Sequence, residues 1–446
     1  MANPSLSEYI SQSQRGLYQS VFGPEYLMKQ TYFTVDTATG IFNTTYGRKV
    51  WQALNNQTRA FNAIPRTVWG NTAGWRIRTD RGSGRSRPVT ETGTLPTVDI
   101  SNIETVSSLP KIVSTTFGAS VKSVFTAQLE GGVGDVLALE NENAQLDHVK
   151  EMNQELLAGS AYLASGGTTT TTVLGSNSTE AAHFKVGDTV AWYDATAAAN
   201  IKTDASATVS SVSSATITHT AAGVTIADGD VIFALRRAGL TSLDDIVSED
   251  GMAVGGASAS PSAYDLTVAG RTAGDWDAAA SASYNSGTGR DLSLNLLDTA
   301  IQKIRTNGGE PKVIIMGHDQ YFKLERLLNS QQRYMGQEEY QVGVGSERTF
   351  PGTRTGLVLA TYQGIPILPD ADTPKSVNSS DTALGSNVYV LDTDYLEIAI
   401  AQPTQYVENR DYFAANALVV RGLLYTMGEM RCKNFFVQAK IADLNS

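Results

Sequence analysis

Residues 134 to 160, GDVLALENENAQLDHVKEMNQELLAGS, form the longest strongly helical run of a chain otherwise rich in Ser, Thr, Gly and Ala. Val136, Leu139, Asn143, Leu146, Val149, Met152, Leu156 and Leu157 recur at three-to-four spacing. Glu140, Glu142, Asp147, Lys150, Glu151 and Glu155 cover the other side, as in a helix with one face turned to a core. The spacing predicts a helix over about 134 to 164, stopped by Gly166-Gly167. Such a helix suits any α+β protein. Its neighbours in the chain decide what it is for.

At 446 residues the chain exceeds one ordinary core, so two to four substructures are expected. A formal net charge of -11 argues against a dedicated nucleic-acid binder, which would carry a basic face. Cys432 is the only cysteine, which excludes an intramolecular disulfide and a multi-cysteine zinc site, and it reads as a small buried strand residue. The start MANPSLSEYISQSQRG lacks the basic and apolar blocks of a signal peptide, and no apolar run is long enough to span a bilayer. A cytoplasmic origin follows as the expectation.

Upstream of the helix, residues 1 to about 67 mix short helical patterns with aromatics and show no period that would close a core. The stretch 69 to 101 carries Arg76, Arg78, Arg81, Arg85 and Arg87 against few acids. Trp75-Arg76-Ile77-Arg78 alternates as a strand does, Gly82-Ser83-Gly84 reads as a turn, and Pro88 and Pro96 mark an exposed return arm. A long isolated hairpin is marginal in water, so it needs a partner surface. The bland alternative is a solvated surface hairpin.

Downstream, residues 166 to 240 read as a separate module. The threonine run 168 to 172 reads as a linker, followed by the strand patterns FKVGDTVAWYD, ATVSSVSSATITHT and GVTIADGDVIFAL. Gly187-Asp188 and Gly229-Asp230 sit before apolar strands, as turns do, without the ligand spacing of a calcium loop. The module is expected to be a small β-barrel or sandwich. After an irregular stretch, LSLNLLDTAIQKIRTNGG predicts a helix, KVIIMG a buried strand, HDQYFKLERLLN a second helix, and GIPILPD and NVYVLDTDYLEIAI further strands. FAANALVVRGLLYTMGEMRCKNFFVQAKI gives one or two long closing strands.

No chemistry-bearing motif emerges. His148, His183, His219 and His318 lie in different predicted elements, without HExxH or a Cys/His cluster, and there is no GxGxxG, P-loop or GxSxG. His318 reads as a helix start, and Asp370, Asp372, Asp392 and Asp394 as turn residues beside strands. No catalytic, cofactor-binding or metal-binding residues are assigned, and the chain is not expected to be an enzyme.

In this order the parts resemble the major capsid proteins of tailed phages and related archaeal viruses, the Hong Kong 97-type α+β fold. The resemblance implies an N-terminal arm at 1–67, an extended loop at 68–102 and a peripheral domain with spine helix at 103–165. An inserted β domain at 166–240, an irregular connection at 241–295, an axial domain at 296–400 and return strands at 401–446 complete it. It implies a virion shell protein assembled in a host cytoplasm from copies of itself in hexamers and pentamers. Scaffold and portal proteins are implied partners, with packaged double-stranded DNA enclosed without sequence-specific binding, no membrane and no cofactor. Trp75, Arg76, Arg78, Arg81, Arg85 and Arg87 are the candidate intersubunit contacts. The loop has no lysine between Trp69 and Pro110, so the lysine-asparagine crosslink of one branch of that family is not supported through it. The rival readings are an encapsulin-like compartment with the same fold and a surface-layer protein.

Overall fold

The computed structural model describes residues 54, 58–70, 74–78, 88–96, 103–107, 109–127, 135–159, 161–174, 178–193, 207–247, 252–254, 257–259, 290–329, 337–341, 349–353, 361–375, 385–410, 418–434, 437–442 and 444–445. The chain divides into two units, the first comprising Met1–Gln57, Ile112–Met152 and Ala401–Met427. The second comprises Thr58–Lys111, Asn153–Ile400 and Gly428–Ser446.

In the first unit the long helix, Val136–Leu156, starts where Asp135 Oδ1 accepts the amides of Leu137 and Ala138 at 3.0 and 3.2 Å, an N-cap. Its buried row there is Val136, Ala144, His148 and Met152, an i, i+4 stripe. The expected stripe differs: Leu146 is exposed, while a histidine takes a core position. That is possible because His148 Nδ1 meets Thr115 Oγ1 at 3.0 Å and Nε2 meets Thr426 Oγ1 at 2.8 Å. Burial accordingly lowers the His148 pKa. On the strands, Phe117 stacks on Tyr406 at 6.0 Å between ring centroids, and the Phe117 ring occupies the space a side chain at Gly422 would need.

Among the described residues, the two largest sheets of the second unit have five and six strands. Five strands order as Thr361–Tyr362, Ile365–Pro369, Val313–Met316, Val388–Leu391 and Ala439–Ile441. Val313–Met316 pairs in parallel with Ile365–Pro369 and antiparallel with Val388–Leu391. The continuous apolar run VIIM fits a strand buried on both faces. Helices Leu294–Thr306 and His318–Asn329 supply Leu297, Ile301, Ile304 and Leu324 to its core beside Ile314, Met316, Val390 and Ile441. Ser293 caps the first helix by accepting the amide of Leu296, and Gly308, at φ +86, ends it in the left-handed region. His318 begins the second helix.

The inserted module is a six-stranded antiparallel sheet ordered Ala161–Ser165, Asp228–Arg236, Thr189–Tyr193, Ala207–Ser213, Thr216–His219 and Thr171–Val173. It curls until its outer strands meet, with Val173 N–H donating to Gly166 O at 2.9 Å. Tyr162, Phe184, Val190, Trp192, Val209, Ile217 and Ile232 fill it.

Three expectations are corrected here. The long helix ends at Leu156, because residues 161–165 pair with Asp228–Arg236 and bury Tyr162 and Ala164 inside the module. The module therefore begins before 166. The threonine run is also no linker: Thr171–Val173 is a strand paired with Thr216–His219, and Thr172 is fully buried. Its β-branched side chains suit a pleated surface. Gly187-Asp188 and Gly229-Asp230 do serve as turn and bulge, both glycines at positive φ.

Candidate assembly surface

The extended hairpin pairs Gly74–Arg78 antiparallel with Ile103–Ser107, placing Trp75 opposite Val106, Arg76 opposite Thr105 and Arg78 opposite Ile103. The return strand thus runs past the expected boundary at residue 102. Arg76 and Arg78 are exposed, while Arg81, Arg85 and Arg87 lie outside the described residues. So does most of the N-terminal arm. The hairpin region also leaves apolar side chains in water: Val68 at 89%, Leu95 at 77%, with Val89, Ile103 and Leu109 exposed as well.

Trp75 has a partner within its own chain. The Arg431 guanidinium lies 3.7 Å from the Trp69 ring centroid and 5.6 Å from that of Trp75, so both rings that flank the start of the hairpin rest on one cation. At the other end of the loop, Lys111 Nζ meets Glu429 Oε2 at 3.1 Å and donates to Thr241 Oγ1 at 3.3 Å. Glu429 is buried, and that burial raises its carboxyl pKa while the Lys111 charge opposes the rise. Two charged residues of the closing strand Val419–Cys432 therefore fix both roots of the hairpin. Sequence reasoning assigned neither. The signal available was the GEMR tetrapeptide, charges set into an otherwise apolar strand pattern.

A second surface lies on the long helix, where Glu142, Gln145, Leu146 and Asp147 are exposed. Nearby, the Glu140 carboxyl pKa is raised, chiefly by burial, with a further contribution from Asp147. The remaining acids of interest are structural. Asp370 Oδ2 accepts the amides of Arg59 and Ala60, both at 3.1 Å, capping the helix Arg59–Ala63. Asp392 accepts the amides of Glu310 and Asp394. Among the described residues no group of three or more His, Cys, Asp or Glu side chains is gathered as a metal site. No described helix is long and apolar enough to cross a membrane.

A long helix, an extended hairpin and a helix-flanked mixed sheet are parts of the Hong Kong 97-type fold. Among solved structures the chain is similar to a cyanophage A-1(L) capsid asymmetric unit, with a TM-score of 0.53, 12% identity, and coverage of 90% of this chain and 96% of that one. Looser likenesses are the capsid of an empty GTA particle (TM-score 0.45, 9% identity, 89% and 94% covered) and the holo-SrpI encapsulin complex of Synechococcus elongatus PCC 7942 (0.40, 10%, 93% and 96%). Those two are too loose to carry an argument. No curated protein sequence matches the chain. Residues 250–443 match the family model described as SU10 major capsid protein. The solved likeness gives this chain the Hong Kong 97-type fold, and its residues 250–443 are similar to a major capsid protein family.

Proposed function

We propose that the chain closes with copies of itself, in hexamers and pentamers, into an icosahedral head around packaged double-stranded DNA. Scaffold and portal proteins act with it, assembly takes place in the host cytoplasm, and the role is structural, without catalysis. The observation that carries this reading is the hairpin with its uncovered Val68, Leu95, Ile103 and Leu109, which no single subunit buries well. In the shell that arm lies over a neighbour. Arg76, Arg78, Arg81, Arg85 and Arg87 face acids there, and the exposed helix face of Glu142, Leu146 and Asp147 offers an apolar centre with acidic flanks. Each exposed pair contributes only about 0–1 kcal/mol, and repetition around a closed lattice makes the sum large. The net charge of -11 suits a wall that surrounds DNA without adhering to it, since strong phosphate binding would oppose packing and release.

Electron microscopy of the purified chain tests the reading. Closed icosahedral particles support it, flat sheets point to a surface layer, and a persistent compact monomer at high concentration refutes it. Particles that package a protein cargo and no DNA point to an encapsulin-like compartment. Replacing the five hairpin arginines with Glu is expected to leave the subunit folded and to abolish particles; an unchanged particle yield contradicts the assigned role.

A further inference from the structure

The last strand of the five-stranded sheet carries a lysine into the interior. In Ala439–Ile441, Ala439 and Ile441 join the core shared with Val388 and Val390, and the alternation of a strand turns Lys440 to the opposite face. Its cross-strand partner there is Tyr389. The helix Leu243–Val247, which follows the inserted module, brings Asp244 to the same place. Lys440 Nζ lies 2.6 Å from Asp244 Oδ1, and the Tyr389 hydroxyl donates to that same oxygen at 2.6 Å. Both charged side chains are 2% exposed, and Tyr389 is fully buried. The lysine contact is short without having the angles of a hydrogen bond. Asp245, the next residue, is held separately by Arg237 at 2.7 Å.

We propose that Lys440 and Asp244 condense into an isopeptide bond within one chain, with Tyr389 as the catalytic hydroxyl. The inference concerns the folded subunit alone and stands whether or not the chain closes into a shell. An ammonium and a carboxylate are costly where water is excluded, and moving one proton between them gives a neutral amine and a neutral acid. The amine is then a nucleophile already in contact with its carboxyl, which replaces an encounter in solution. Nζ attacks Asp244 Cγ, and the negative charge that develops on Oδ1 is received by the Tyr389 hydrogen bond. Burial and the Asp244 charge push the Tyr389 pKa up, so the hydroxyl keeps its proton as a donor. The Nζ–Cγ bond forms and the Cγ–Oδ2 bond breaks. Of the three ammonium protons, two leave with Oδ2 as water and one stays on the amide nitrogen. No oxidant or further reactant takes part. The product leaves no charge to bury, and it ties the helix after the inserted module to the last strand of the sheet.

Mass spectrometry of the denatured full chain tests the bond. The intact mass is expected to fall one water short of the sequence mass. Proteolysis should give a branched peptide joining the residues around Asp244 to those around Lys440, with no tryptic cut after Lys440. K440R should restore the full mass. D244N should give the same branched peptide, since its side-chain amide releases ammonia where the acid releases water. Y389F should slow bonding on the order of a hundredfold, the cost of losing one oxyanion donor. Exchange protection of Val313–Met316 shows that the chain under test is folded. A folded chain of full sequence mass, with Asp244 and Lys440 in separate linear peptides, overturns the proposal. So does a water-deficient mass that K440R leaves unchanged. Bonding of Y389F at the parent rate overturns the role given to the hydroxyl.

Discussion

Thr172→Val removes one oxygen and almost no volume, and the structure sets what that oxygen is worth. Trp192 Nε1–H donates to Thr172 Oγ1 at 3.0 Å, and Thr172 Oγ1 lies 3.0 Å from His219 Nε2. His219 Nδ1 lies 2.8 Å from Thr220 O, a carbonyl that can only accept. Nδ1 therefore carries the proton, Nε2 accepts, and the threonine hydroxyl donates to it, completing a chain that runs one way. Valine breaks this chain at its centre and leaves a buried indole N–H and a buried imidazole nitrogen without partners. At about 1–3 kcal/mol for each of the two orphaned groups, the module should lose about 2–6 kcal/mol. Native-state hydrogen exchange of Ala207–Ser213 reads the module's opening free energy directly, where a whole-chain melt of so large a protein would not be two-state. Thr172→Ser is the companion variant: it keeps the hydroxyl and loses one methyl, about 1 kcal/mol. If T172V lowers the opening free energy by under about 0.5 kcal/mol, or by no more than T172S, the hydroxyl does not hold this core together.

Two further perturbations test the packing that positions the proposed assembly elements. Gly422→Ala puts a Cβ 2.3 Å from the Phe117 ring and must dislodge it from its stack on Tyr406. A loss of about 1–3 kcal/mol in exchange protection of Val419–Cys432 is expected, and an unaltered strand contradicts it. Asp370→Ala strips the cap from Arg59–Ala63 and an acceptor from Asn153 Nδ2, for about 2–4 kcal/mol. Limited proteolysis should then cut near residue 60; resistance equal to the parent chain argues that the cap is dispensable.

The outline of the fold was legible because much of it is local. A 3.6-residue period, a terminal Gly-Gly and the apolar KVIIMG placed the two later helices and their strand from sequence alone. The hairpin strand Gly74–Arg78 followed from alternation in the same way. Reading failed where a residue's state depends on a distant partner. His148 was left out of the predicted apolar stripe, yet it is buried because Thr115 and Thr426 meet both its nitrogens. Residues 161–165 continue a helical pattern in sequence, yet a strand some 65 positions later, Asp228–Arg236, offered them a ladder and a core.

The sequence by itself therefore determined the long helix, the two later helices with the strand between them, and the alternating strand that opens the basic hairpin. Tertiary structure alone decided which buried charges hold those parts together. Arg431 beneath two tryptophans, Glu429 against Lys111, and Lys440 against Asp244 are pairings across long sequence separations. A charge is tolerated in the interior only when its partner arrives with it, and periodicity along one chain carries no information about that arrival.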